Sequence, residues 1–216
     1  MSAHDLVIRG GRVVDGTGAA SFRADVAVSD GVITEVGPSI DGQATRVIEA
    51  EGLIVTPGFV DIHTHFDGQA TWDPILAPSS IHGVTSIVMG NCGVGFAPAR
   101  PTPDQHDWLI GMLEGVEDIP GTALAEGLSW DWETFPEYLD ALDRRPFAID
   151  VATQVAHAPL RAYVMGERGA DPNEMPTVDE LARMAALVKD GVLAGALGFT
   201  TSRTYIHRTR DGHPLG

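Results

Sequence analysis

The sequence contains few basic residues, and this shortage argues against two classes of partner. Among its 216 residues, 14 Lys and Arg stand against 30 Asp and Glu, so the formal net charge is −16. Nucleic acids and anionic membranes both attract proteins through clusters of basic side chains. We therefore expect neither a nucleic acid nor a membrane surface as a partner.

Cysteine and long apolar runs are also scarce. The single cysteine cannot form a disulfide framework, and no apolar stretch approaches the ~18 residues that a membrane-spanning helix requires. The first residues lack the apolar segment of a secretory signal peptide. These absences predict a cytoplasmic protein, and a composition of 44% hydrophobic and 20% charged residues is ordinary for a globular fold.

Short apolar runs separated by turn residues occupy the first part of the chain, from Asp5 to about Val55. The Asp30-Gly31 pair between two β-branched runs is typical of a two-residue hairpin, because both turn positions need positive φ. The pattern predicts a small antiparallel β module over residues 1–57. The alternative is a strand-rich lead-in that belongs to the main fold.

After Pro57 the pattern changes to strands that alternate with helices. Predicted strands cover residues 59–63, 85–89, 148–155 and 196–199, and predicted helices cover 79–82, 104–116, 134–142 and 177–188. The three longer helices each have a capping-box pattern, at Thr102, Thr134 and Thr177. Alternation of this kind predicts an α/β fold with a parallel sheet over residues 58–216. Two connectors rich in Gly and Pro, 93–103 and 119–131, are expected beside the carboxyl ends of the strands.

His63 and His65 form the sharpest chemical feature, at the end of the first predicted strand of the α/β region. Side chains two apart on a strand point to the same side, so both imidazoles could bind one metal ion. Chance alone gives roughly 0.3 such pairs for eight His in this chain, so the position at a strand end carries the argument. Asp61 and Asp67 flank the pair and are candidates for supporting carboxylates.

Cys92 follows the second predicted strand, in a turn rich in glycine. A thiolate is a good zinc ligand, and neighbouring parallel strands end at the same edge of a sheet. Two alternatives are an inert buried cysteine and a nucleophile paired with a histidine base. The residues alone do not choose among the three.

A looser group of polar residues follows the third and fourth predicted strands, which places it at the same edge of the sheet. Its members are His157, Arg161, Arg203, Tyr205 and His207. An arginine could hold a substrate carboxylate through a bidentate contact. The alternative for each member is a hydrogen bond that ties a loop.

Five segments together resemble the N-acyl-D-amino-acid deacylase (D-aminoacylase-like) branch of the metal-dependent amidohydrolase superfamily. They are PGFVDIHTHFD (57–67), GVTSIVMGNCGVGFAP (83–98), AEGLSWDWETFPEYLDAL (125–142), HAPLR (157–161) and GALGFTTSRTYIHR (195–208). The resemblance implies a composite β-sandwich module over residues 1–57. It also implies that residues 58–216 supply the first half, about four units, of a TIM-like (β/α)8 barrel.

The resemblance further implies a site and a reaction. His63, His65 and Cys92 would bind one or two divalent metal ions, Zn2+ foremost, and metal-activated hydroxide would cleave the amide of a small N-acyl-amino acid. The general-base Asp and two further His of the family have no counterpart up to Gly216. We therefore expect a part of a longer or split enzyme, with the missing half as a possible separate chain. We expect this chain to be inactive alone and the complete enzyme to be a homo-oligomer.

Substrate recognition is expected from His157, Arg203 and Tyr205. Residues 202–205 depart from the Gly-Leu pair that D-aminoacylases tend to carry after the fourth strand, which leaves the stereochemistry of the substrate open. Two alternatives to a deacylase are an amidohydrolase for cyclic amides, similar to dihydropyrimidinase, and a catalytically silent scaffold with the same fold.

Overall fold

The structure is a computed structural model, and it describes residues 4–117, 119–202, 204, 206–208 and 212. The chain divides into two compact units, Met1–Gly58 and Phe59–Gly216. Two of the predicted substrate-binding residues, Arg203 and Tyr205, lie outside the described residues.

The first unit is a five-stranded sheet. Its strands are β1 His4–Val13, β2 Phe22–Ser29, β3 Val32–Gly37, β4 Ala44–Glu49 and β5 Ile54–Val55. The strand order is β3-β2-β1-β4, with β5 also paired to β1. Asp30 and Gly31 join β2 to β3 with φ values of 52° and 75°, as the Asp-Gly pair predicts.

This sheet is mixed, so the prediction of a purely antiparallel module is wrong. β1–β2 and β2–β3 are antiparallel, but β1–β4 and β1–β5 are parallel. The cause is the connector after β3, which crosses from one edge of the sheet to the far side of β1 before β4 begins. Ile40 in this connector is buried against Val7 and Ala27, so the crossing supplies part of the core.

The second unit alternates short parallel strands with helices. Its strands are β6 Phe59–Asp61, β7 Val84–Met89, β8 Asp150–Thr153, β9 Val155–Ala156 and β10 Phe199–Thr200. Its helices are α1 Pro103–Glu117, α2 Gly121–Gly127, α3 Phe135–Asp143, α4 His157–Met165 and α5 Val178–Ala194.

The strand pairs β6–β7, β7–β8 and β9–β10 are all parallel, which confirms the parallel pairing predicted for residues 58–216. The described strands form a three-stranded and a two-stranded sheet and do not close into a barrel. The architecture of this unit is therefore α/β with open sheets.

Two of the three predicted capping boxes are confirmed. Thr134 accepts from the amide of Glu137, and Thr177 accepts from the amide of Glu180, with each Glu side chain returning a contact to the cap. The third box, predicted at Thr102, is wrong. There the Gln105 side-chain oxygen accepts from the amide of Arg100 instead.

Two helices of the structure lie outside the helices that the sequence patterns predict. α2 occupies part of the predicted connector 119–131, where Leu124 is fully buried and the amide of Gly121 donates to Glu114. α4 begins directly after β9 with Pro159 in its first turn, a position at which the missing proline N–H costs nothing. Both helices are stabilised by burial that a local pattern does not show.

The core of the second unit lies between the three-stranded sheet and helices α1 and α3. Its fully buried members include Ile87, Met89, Leu109, Leu113 and Tyr138. Within the described part of the chain, no helix combines the length and the apolar character needed to cross a bilayer.

Candidate metal centre

The His63 and His65 pair lies just beyond the carboxyl end of β6. The strand ends at Asp61 rather than at His63, and it is exposed rather than buried, with Phe59 and Val60 each 61% exposed. Among the described residues, β6 pairs only with β7, so it is an edge strand. Because the strand ends before His63, alternation along a strand does not align the two imidazoles, although they do converge as predicted.

Hydrogen bonds to the neighbouring strand hold the pair instead. Thr64, between the two His, donates its amide and its hydroxyl to the carbonyl of Val88 at 3.0 and 2.9 Å. The two imidazole rings then lie 5.5 Å apart between centroids and 59° apart in plane. Both rings consequently remain at the carboxyl edge of the β6–β7 pair.

A tight turn at the end of β7 brings Cys92 to the same place. Gly90, Cys92 and Gly93 have φ values of 77°, 55° and 76°, so the chain reverses sharply in the left-handed region. The Asn91 amide group donates to the carbonyls of Val88 and Thr64 at 2.8 and 3.3 Å. Asn91 therefore binds the Cys92 turn to the segment that carries the histidines.

Three potential ligand side chains converge at this edge. One ligand atom each from His63, His65 and Cys92 lies within 4.8 Å of the other two. The closest approach joins His63 Nε2 to Cys92 Sγ at 3.1 Å. His63 is exposed, whereas the other two are partly buried, so the cluster is open to small molecules on one side.

The electrostatics of the cluster suit a cation. Burial lowers the pKa of His65 to about 4, and repulsion from His63 and His207 acts in the same direction, so its imidazole is neutral at neutral pH and can offer a lone pair. Burial also raises the pKa of the Cys92 thiol, and the negative charge of Glu117 adds to the effect, so a bound cation would have to displace the thiol proton to form the thiolate. Thiolate and imidazole are the donors that zinc prefers, so this set fits a divalent metal ion.

The two flanking carboxylates have different surroundings. Asp61 accepts a hydrogen bond from the amide of His63 at 3.1 Å, which fixes the backbone before the pair. Asp67 is 1% exposed, and its burial raises its pKa to about 7 against the lowering effect of backbone hydrogen bonds. Its backbone carbonyl accepts from the hydroxyl of Tyr138 at 2.9 Å. Asp61 therefore contacts the pair directly, whereas Asp67 is buried in the segment that follows it.

The structure separates the remaining polar candidates. His157 begins α4 and contacts Thr201 through Nδ1 at 3.2 Å, and its Cβ lies beside the Gly93 turn, so it belongs to the same edge. His207 lies close enough to His65 for its charge to lower the pKa of that imidazole. Arg161 instead donates to backbone carbonyls of residues 169, 171 and 174, which is the loop-tying alternative.

Three further residues of the site were missed by the sequence patterns. Asn91 lies beside Cys92, and Gln154 donates to the Asn91 side chain at 3.1 Å from the loop between β8 and β9. Glu117 ends α1 with Oε1 3.1 Å from His65 Nε2. Asn91 could have been found by its place in the strand-end turn, but no local signal marks the other two.

Comparison with known proteins shows the family of the chain. A model of the amidohydrolase family matches residues 46–215, and the chain belongs to that family. Similar curated proteins include the D-aminoacylase and the N-acyl-D-glutamate deacylase of Alcaligenes xylosoxydans xylosoxydans. They are 35% and 37% identical over 201 and 205 residues, in each case 93% of this chain and 38% of the relative. The chain thus spans less than two-fifths of the length of these proteins.

Solved structures show the same likeness. A D-aminoacylase crystal structure has a TM-score of 0.74 at 36% identity, over 92% of this chain and 38% of that one. The N-acyl-D-glutamate deacylase of Bordetella bronchiseptica, complexed with zinc and a phosphonate inhibitor, has a TM-score of 0.75 at 36% identity over the same shares. A further D-aminoacylase structure is described as having a binuclear metal centre.

Proposed function

We propose that the protein carrying this chain is a metal-dependent amidohydrolase that cleaves the non-peptide amide bond of N-acyl-amino acids, foremost those of D configuration. One observation carries the proposal. Two histidines and a cysteine meet at the carboxyl edge of a parallel sheet in a chain similar over nine-tenths of its length to D-aminoacylase.

In this proposal His63, His65 and Cys92 hold one or two divalent metal ions, with Zn2+ the first choice because sulfur and nitrogen ligands favour it. A bound ion of this kind lowers the pKa of a water molecule and polarises the carbonyl of an amide. Support comes from the neutral imidazole of His65 and from the open side of the cluster at His63.

The other residues of this edge would orient substrate and ligands. Asp61 fixes the backbone of His63, and buried Asp67 supports the segment behind the pair. His157 is proposed to contact the substrate, because it lies beside the Cys92 turn. Arg203 and Tyr205 are proposed to bind the carboxylate or acyl part, and the general-base Asp is proposed to lie beyond Gly216.

We further propose a domain organisation and an assembly. Residues 1–57 would belong to a composite β-sandwich, and residues 58–216 to the first half of a TIM-like barrel that the remaining units close. The remaining half would be continuous with this chain or a separate one, and the complete enzyme a cytoplasmic homo-oligomer. The low number of basic residues supports a small-molecule substrate over nucleic acid.

The experiment is hydrolysis of paired N-acetyl-D- and N-acetyl-L-amino acids by the purified full-length protein. We expect release of the free amino acid, loss of activity after treatment with a chelator, and recovery on addition of Zn2+. Hydrolysis that persists after the metal has been removed, with metal content checked by elemental analysis, would contradict the proposal. A protein that purifies without stoichiometric metal and hydrolyses none of the amides would instead be the silent scaffold.

A second candidate substrate class is a cyclic amide. The allantoinase of Rubrobacter xylanophilus is 49% identical over 75 residues, 34% of this chain. Hydantoin and allantoin therefore belong in the same panel. Ring opening of either compound faster than deacylation would select this second class.

A further inference from the structure

Helix α1 delivers a carboxylate to the metal cluster from a distant part of the sequence. Glu117, its last residue, has Oε1 3.1 Å from Nε2 of His65. The side chain of Glu117 is 24% exposed and that of His65 is 13% exposed, so the contact lies largely out of water. Leu109, Met112 and Leu113 of the same helix are fully buried, which fixes the end of the helix beside the cluster.

The two ring nitrogens of His65 have different surroundings. Nε2 faces the Glu117 carboxylate, whereas Nδ1 is buried and has no hydrogen-bond partner among the described residues. A neutral imidazole carries its proton on one nitrogen and a lone pair on the other. Because a carboxylate accepts and cannot donate, its position at Nε2 favours the proton there and the lone pair on Nδ1.

We propose that Glu117 is a positioning residue for the metal centre. It accepts a hydrogen bond from Nε2–H of His65, fixes the orientation and tautomer of that ring, and leaves Nδ1 to bind the ion. This inference rests on the metal site proposed above. Ligating histidines commonly use their second nitrogen in this way, and loss of the supporting group typically weakens metal binding by about 10- to 100-fold.

The geometry favours action through His65 over direct binding by Glu117. The group of mutually close ligand atoms consists of His63, His65 and Cys92, and Glu117 is not part of it. One oxygen of Glu117 lies at hydrogen-bond distance from the ring of His65. A carboxylate that touches one ligand of a cluster is placed to hold that ligand.

The test measures Zn2+ affinity of the full-length protein by competition with a chromophoric chelator. Glu117→Ala should weaken binding by about 10- to 100-fold, because the acceptor is lost. Glu117→Gln should recover most of the affinity, since its amide oxygen still accepts from Nε2–H at the same length. Asp107→Asn removes one charge from an exposed position of the same helix and should leave the affinity unchanged.

A spectroscopic measurement separates positioning from ligation. In Co2+-loaded protein, the visible absorption of Glu117→Gln at saturation should match that of the parent protein, because the same atoms bind the ion. An altered spectrum, equal losses for Gln and Ala, or unchanged affinity in both variants would each overturn the proposal. If the parent protein binds no Zn2+, the proposed function itself has failed rather than the role of Glu117.

Discussion

Replacement of Gly90 by alanine probes the turn that carries Cys92. Gly90 has φ of 77°, and a Cβ atom built on it would lie 2.3 Å from the carbonyl oxygen and 3.0 Å from the nitrogen of Gln154. These neighbours are backbone atoms, so a rotamer change cannot relieve the clash. The amide of Gln154 also donates to the carbonyl of Met89 at 3.1 Å, and this bond must shift when the backbone moves.

The expected cost has two parts. The left-handed backbone conformation costs an L-residue about 1–2 kcal/mol. Overpacking against backbone that must move adds about 1–3 kcal/mol. We therefore expect Gly90→Ala to lower the free energy of unfolding by about 2–5 kcal/mol, the sum of the two.

Gly83→Ala is the matched control, because Gly83 precedes the same strand, β7, with φ of 89°. Its added Cβ would lie 3.5 Å from the Phe59 side chain, an ordinary contact. Only the conformational cost of about 1–2 kcal/mol is expected there. Urea unfolding of both variants, compared at equal m-value, measures the difference. Equal losses in the two variants would refute the steric argument.

Two further predictions concern stability away from the centre. Asp25 accepts from the amides of Gly10 and Ile40 at 2.7 and 3.1 Å, so Asp25→Asn should cost about 1–3 kcal/mol in urea unfolding at neutral pH. The hydrogen bond from Gly10 is the main cause that holds the pKa of Asp25 below 3.8. The contribution of the ionised Asp25 to the free energy of unfolding is therefore present above about pH 4 and is lost as the pH falls through the folded-state pKa. The free energy of unfolding of Asp25→Asn should therefore fall less with acid than that of the parent protein. Parallel pH profiles of the two proteins would contradict this role of Asp25. Thr177→Ala removes the acceptor for the Glu180 amide and should cost about 1 kcal/mol, whereas no measurable change in thermal unfolding would contradict the capping role.

Local signals in the sequence predicted much of the second unit. The Thr-x-x-Glu patterns at Thr134 and Thr177 mark real helix starts, because the capping bonds join residues three apart. The approach of Cys92 to His63 followed from the rule that parallel strands end at one edge.

The features that the sequence patterns did not predict share a physical cause: each of them depends on contacts with distant parts of the chain. The crossing that makes β4 parallel to β1 buries Ile40 against Val7 and Ala27. Among the described residues β6 is an edge strand, paired only with β7. Glu117 reaches His65 because α1 packs on the core with its last turn beside the cluster. A pattern of apolar residues with a period of 2 or 3.6 predicts a strand or a helix but not such long-range contacts.

The most direct test of the account is the metal content of folded Cys92→Ala protein. We expect full-length Cys92→Ala to retain its circular dichroism spectrum but to lose metal occupancy and amidase activity together, because a ligand and its negative charge are both removed. A nucleophilic cysteine would instead lose activity and keep its metal, and an inert buried cysteine would lose little of either. Full metal occupancy in Cys92→Ala, measured by elemental analysis after dialysis, would contradict the central claim.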